Sequence, residues 1–138
     1  MPYDGYSCLR VSRDRGVAFV TIDHPPINLF DLPLIQDMTR LGAELEADPE
    51  VKVAVFRSAD PEFFIAHADV GLIQLLPEVA PPRSPAPSHF QQMVDRFRLM
   101  PKATIGEIEG RARGGGSEFL LSLDMRFGAI GRCVLAQP

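Results

Sequence analysis

Residues 103–124 read ATIGEIEGRARGGGSEFLLSLD, and the rest of the chain is organised around this stretch. Ala103 to Glu109 is β-branched and alternating, the pattern of a half-buried strand. Gly110 and an Arg111-Ala112-Arg113 spacer lead to Gly114-Gly115-Gly116, and Ser117-Glu118-Phe119-Leu120-Leu121 opens a buried helix. Consecutive glycines let a backbone approach another group closely, because no Cβ intervenes. The first N–H groups of a helix have no partner within it and carry partial positive charge, which suits a developing anion. Glu118 puts a carboxylate in the same turn, so oxyanion donors and an acid/base fall within four residues. The same residues also fit a plainer reading, with the glycines serving strand–helix packing and Glu118 complementing the helix dipole.

The 138 residues suffice for one modest domain. Val17 to Asp23 is a strong strand, paired as a hairpin with a weaker one over Ser7 to Ser12 across Asp14-Arg15-Gly16. Asp31 is a good N-cap and Pro33 is tolerated in a first helical turn. Leu34, Met38, Leu41 and Leu45 then form one apolar helical stripe, ended by Asp48-Pro49. Val51 to Arg57 is another strand. The short apolar run Phe63-Phe64-Ile65 is followed by a short helix over Val70 to Leu76, capped by Asp69. Residues 77–88 hold five prolines and read as a surface loop. Phe90, Met93, Val94 and Phe97 follow a helical period that Pro101 ends. Asp124 to Ile130 reads as a last strand.

A net charge of −4 offers no basic surface, which argues against nucleic acid and anionic membranes as partners. Cys8 and Cys133 are isolated, with no metal-ligand spacing, so no metal is expected and a reducing cytoplasm is the plain compartment. His24 and His89 read as surface residues, and Ser117 has no His-Asp set nearby to make it a nucleophile.

Two segments together resemble the crotonase (enoyl-CoA hydratase/isomerase) superfamily. Phe63-Phe64-Ile65-Ala66-His67-Ala68-Asp69 is similar to its segment of aromatic, small, small, Gly, small, Asp. Gly110 to Glu118 is similar to its Asn-Gly-x-x-x-Gly-Gly-Gly-x-Glu segment, with Glu109 in place of Asn. VTIDHPPINLFD resembles its first strand and loop, Asn28 matching the usual asparagine. The resemblance implies an α/β fold, a spiral of β-β-α units, with residues 1–138 as the N-terminal part of such a domain. It implies an acyl-CoA thioester as substrate, with coenzyme A as part of that substrate and no separate cofactor. The thioester oxygen would sit between the N–H groups of Ala66 and Gly115, stabilising an enolate. Glu118 would position and activate water, its pKa raised by an apolar neighbourhood. Ile27, Phe64, Ala68 and Asp69 would line the coenzyme A path. His67 stands where the family has glycine.

Family members assemble as trimers or hexamers, so a homo-oligomer is expected. Leu135-Ala136-Gln137-Pro138 resembles the segment after which hydratases place a second glutamate. A truncated, non-catalytic module that binds coenzyme A or assembles with partners is the alternative expectation. An unrelated phosphate-binding domain is disfavoured, since neither GxGxxG after a strand nor GxxxxGK[ST] is present.

Overall fold

The computed structural model describes residues 2–137. Strands β1 (Leu9–Asp14) and β2 (Val17–Ile22) form the antiparallel hairpin, turned by Arg15 and Gly16 at positive φ. Asp31 caps α1 (Leu32–Ala47), its Oδ1 accepting the Leu34 N–H at 3.1 Å. The stripe Leu34, Met38, Leu41 and Leu45 is fully buried. Strand β3 (Val53–Ser58) runs parallel to β2, and β4 (Phe63–Ile65) follows in a second sheet.

A 3-10 helix, Val70–Leu75, and the exposed residues 77–88 lead to α2 (His89–Leu99). Ser88 and Gln91 form a capping box at its start. The chain then continues through β5 (Ala103–Ile108), β6 (Arg111–Arg113), α3 (Gly115–Ser122), β7 (Met125–Gly128) and β8 (Val134–Ala136).

The larger sheet has the order β1-β2-β3-β5-β7 and the smaller one β4-β6-β8. Every pairing after the hairpin is parallel. Parallel neighbours need a crossover, and the sequence supplies one repeatedly. Each winding gives one strand to the larger sheet, one to the smaller, and a helix back: β3-β4-α2, then β5-β6-α3. The first winding has a single bridge, Phe30 to Ala68, in place of a second-sheet strand.

Alternation along β2 and β5 sends Ala18, Val20 and Ile22, and Thr104, Gly106 and Ile108, into the core. There Phe56 from β3, Phe97 from α2 and Phe119 from α3 meet edge-to-face, with ring centroids 5.2–5.4 Å apart. This triad ties two helices to the larger sheet, and such pairs add about 0.5–1.5 kcal/mol beyond their area burial.

Four local expectations differ from the structure. The Arg-Ala-Arg spacer is strand β6, with Ala112 buried and both arginines exposed. The terminal segment contributes β8. Leu121 is exposed, so α3 buries one face instead of its whole circumference. His24 is half-buried, its Nε2 2.7 Å from Asp31 Oδ2, not a free surface residue.

Candidate functional site

The centre of interest is the start of α3. Gly114 adopts φ 51° and ψ −122°, a conformation that L side chains rarely take, and it turns β6 into the helix. Gly116 meets β4 so closely that an added Cβ would lie 2.7 Å from Ile65 O. The packing reading of the glycines is therefore correct for Gly116. Gly115 is different. The atoms nearest to a Cβ there would be ring atoms, Phe90 Cζ at 3.4 Å and Phe30 Cδ2 at 3.6 Å. As the first residue of the helix, Gly115 has an N–H with no intrahelical acceptor.

Across from α3 runs the segment that follows β4. Its course is fixed by Asn28, which is buried and has φ 52°. The Asn28 Nδ2 donates to Ser58 Oγ at 2.8 Å, Phe64 O at 3.1 Å and Phe63 O at 3.3 Å, and Oδ1 accepts the His24 N–H at 2.8 Å. These bonds hold the loop of Ile27 against β4, and the Ile27 carbonyl accepts the Ala66 N–H at 3.3 Å. The Ala66 amide, expected as an oxyanion donor, is thus engaged inside the fold.

Ala68 is the contrasting case. The Phe30 N–H donates to His67 O at 2.9 Å and the Asp69 N–H to Phe30 O at 3.0 Å. In this parallel bridge the residue between, Ala68, turns its own N–H away from Phe30, and among the described residues no acceptor takes it.

Ala68, Gly115 and Glu118 line one cavity of about 290 Å³ together with Phe30, Ile35, Leu72 and Phe90. Phe30 and Phe90 stand edge-to-face at 5.3 Å. The cavity lining thus combines Ala68, Gly115 and the Glu118 carboxylate with four apolar side chains. Glu118 is exposed at this rim, in contrast to the buried position expected for it.

The other expected site residues fall outside the cavity. Phe64 is fully buried and its carbonyl is taken by Asn28, so it supports the loop from within the core. Ile27 acts through its carbonyl, on Ala66. Asp69 caps the 3-10 helix, Oδ1 accepting the Gly71 N–H at 2.9 Å. His67 Nδ1 lies 2.7 Å from Ala68 O, and His67 is not among the positive-φ residues, so the backbone there makes no demand for glycine. Among the described residues no cluster of His, Cys, Asp or Glu is arranged to hold a metal ion. No helix among them is long and apolar enough to cross a membrane.

The enoyl-CoA hydratase/isomerase family model matches residues 12–130, most of the chain and all of the site just described. The chain belongs to the enoyl-CoA hydratase/isomerase family. Its spiral of β-β-α windings is the crotonase fold, as the sequence resemblance implies. It is similar to a candidate enoyl-CoA hydratase from Streptomyces avermitilis, with 38% identity and a TM-score of 0.80, over 96% of this chain and 50% of that one. It is 34% identical over 116 residues to the fatty acid oxidation complex subunit alpha of Idiomarina loihiensis, covering 83% of this chain and 16% of that protein. It is 29% identical over 116 residues to carnitinyl-CoA dehydratase of Escherichia coli, covering 84% of this chain and 43% of that enzyme. The chain thus spans half the length of the solved structure and less than half of these two curated relatives.

Sequence reasoning did not assign Phe30, Ile35, Leu72 and Phe90 to the site. Phe90 was legible as one member of the α2 stripe. That it is only half-buried, with its ring against a cavity, depends on how α2 packs.

Proposed function

We propose that this chain binds an acyl-CoA thioester in the cavity and holds the thioester oxygen between the N–H groups of Ala68 and Gly115, in chemistry of the hydratase/isomerase type. One observation carries the reading. Residues 68, 115 and 118 line a single apolar cavity, and the Ala68 amide is free where that of Ala66 is bonded. Taking a proton from the α-carbon, or adding water across an α,β-double bond, develops negative charge on the thioester oxygen. Two donors already aimed at that oxygen need no reorganisation as the charge appears, and losing one such donor costs about 2.7–4 kcal/mol of barrier. Glu118, on the same rim, is the group that positions water and moves a proton. Coenzyme A enters as part of the substrate, so the reading calls on no separate cofactor.

Self-association belongs to the same proposal. Met125 and Phe127 are exposed on β7, an edge strand of the larger sheet, and Ile130 is exposed just beyond it. A reducing cytoplasm suits the free thiols Cys8 and Cys133.

Calorimetric titration with crotonoyl-CoA and with free coenzyme A tests the reading. The thioester binds more tightly than free coenzyme A. Gly115→Pro removes one N–H at a helix position that tolerates proline, and it abolishes this preference while leaving the affinity for coenzyme A. Equal affinity for thioester and coenzyme A in the parent chain would refute the proposal.

A second reading, binding without turnover, is favoured by one observation: Glu118 is the single carboxylate lining the cavity among the described residues. Glu118→Gln separates the two. Hydration by the 138-residue chain that this substitution abolishes excludes the binding-only reading; thioester binding survives the substitution in either case.

A further inference from the structure

Resting on the acyl-CoA reading, we infer that Phe90 is a specificity-determining residue: its ring, with Leu72, sets the size of the acyl group the cavity accepts. The four apolar walls are not equivalent. Phe30 is fully buried and held by backbone bonds to His67 and Asp69 on either side, so it cannot yield. Ile35 belongs to α1, the longest helix, whose neighbouring stripe fills the core.

Phe90 and Leu72 are different: Leu72 stands outside the core cluster, and Phe90 packs against that cluster while staying only half-buried. Phe90 is half-buried in the first turn of α2. Leu72 is half-buried on a 3-10 helix that contains no buried residue. The exposed residues 77–88 join these two walls, and neither wall residue lies on a strand of either sheet.

Phe90 also sits closest to the reacting end. Its Cζ lies where a methyl group on Gly115 would make van der Waals contact, and its ring stands edge-on to Phe30. An acyl chain leaving a carbonyl held by Gly115 therefore meets the Phe90 ring before it reaches open space. Phe90, Leu72 and Ile35, each only half-buried around the cavity, leave apolar surface for an apolar guest to cover. Each additional methylene buried there tightens binding about fourfold, until the chain meets the wall that stops it.

The test is calorimetric titration of the full chain with saturated thioesters from acetyl-CoA to dodecanoyl-CoA, beside free coenzyme A. In the wild type, affinity rises about fourfold per methylene and then breaks to a plateau. In Phe90→Ala the break moves to longer chains, with free coenzyme A bound as before. In Leu72→Phe it moves to shorter ones. Far-UV circular dichroism checks each variant's fold. Should Phe90→Ala fail to fold, Leu72→Phe decides alone, since the 3-10 helix that carries it contains no buried residue.

A break at the same chain length in all folded variants overturns the inference. So does a uniform weakening of every acyl-CoA in Phe90→Ala. Either result leaves the proposed function standing. A wild type that binds no acyl-CoA more tightly than coenzyme A defeats the proposed function and this inference together.

Discussion

Alanine placed at each of the three consecutive glycines in turn should give three different results. At Gly114 the added Cβ meets no atom within 4 Å, but the backbone sits at φ 51° and ψ −122°. The cost is conformational, about 1–3 kcal/mol. At Gly116 the Cβ would lie 2.7 Å from Ile65 O and 2.8 Å from Ile65 Cβ. Overpacking of this kind costs about 1–3 kcal/mol, against a helix-propensity gain of at most about 1 kcal/mol. The α3 terminus must also shift away from β4, which displaces Gly115 from the cavity lining it shares with Ala68. At Gly115 the Cβ makes ordinary contacts with Phe90 and Phe30, so stability is unchanged or slightly raised, yet the methyl group fills the end of the cavity beside the proposed carbonyl seat.

The assay is urea unfolding followed by far-UV circular dichroism, which suits a chain without tryptophan, beside thioester titration of the same proteins. Gly114→Ala and Gly116→Ala lower stability, and Gly115→Ala lowers only binding. Gly116→Ala as stable as wild type, or Gly115→Ala as destabilising as Gly116→Ala, would refute the packing account on which the site rests.

Two further outcomes are expected. Asn28→Gly keeps the positive φ but removes four hydrogen bonds, among them the one to the carbonyl of buried Phe64. The loss is on the order of 3 kcal/mol, read as a fall in the urea midpoint, and an unchanged midpoint rules out the anchoring role. The tyrosines Tyr3 and Tyr6 donate their hydroxyls to Asp48 Oδ2 at 2.8 Å and Glu44 Oε2 at 2.9 Å. Burial, with the acceptor carboxylates adding to it, raises both phenols, Tyr6 to about 12. A raised folded value favours the neutral form, so this stabilisation is full below the unfolded value of about 10 and is lost as pH rises through the folded values. Phenolate absorbance of the native chain, which reports on these two tyrosines alone, therefore shows no step near pH ~10, while the urea-unfolded chain shows both. A native step there contradicts the hydrogen-bonded placement.

Much of the fold was legible from local patterns. Asp31, Pro33 and the stripe Leu34, Met38, Leu41 and Leu45 specify α1 because capping and helical period are properties of neighbouring residues. The alternation of Val17 to Ile22 and Ala103 to Ile108 specifies β2 and β5 for the same reason. Strands β6 and β8 were not legible, because three residues are too few to display a period of two. In β6 the arginines flanking Ala112 also carry the composition of a turn.

The site divides along the same line. Gly115 and Glu118 follow from the glycine run and the helix it opens, both contiguous in the chain. Which amide stands opposite does not follow. Ala66 and Ala68 are the same residue type two positions apart, and their difference lies in what faces them. The Ile27 carbonyl, held by Asn28, accepts the N–H of Ala66, while the bridge to Phe30 turns the N–H of Ala68 away. The exposure of Glu118 and the ring of Phe90 beside Gly115 are likewise results of packing. The sequence determined the elements and the chemistry carried by each, because those depend on neighbours along the chain. The tertiary structure alone decided which hydrogen-bonding groups remain free, because a donor is spent or spared by a partner tens of residues away.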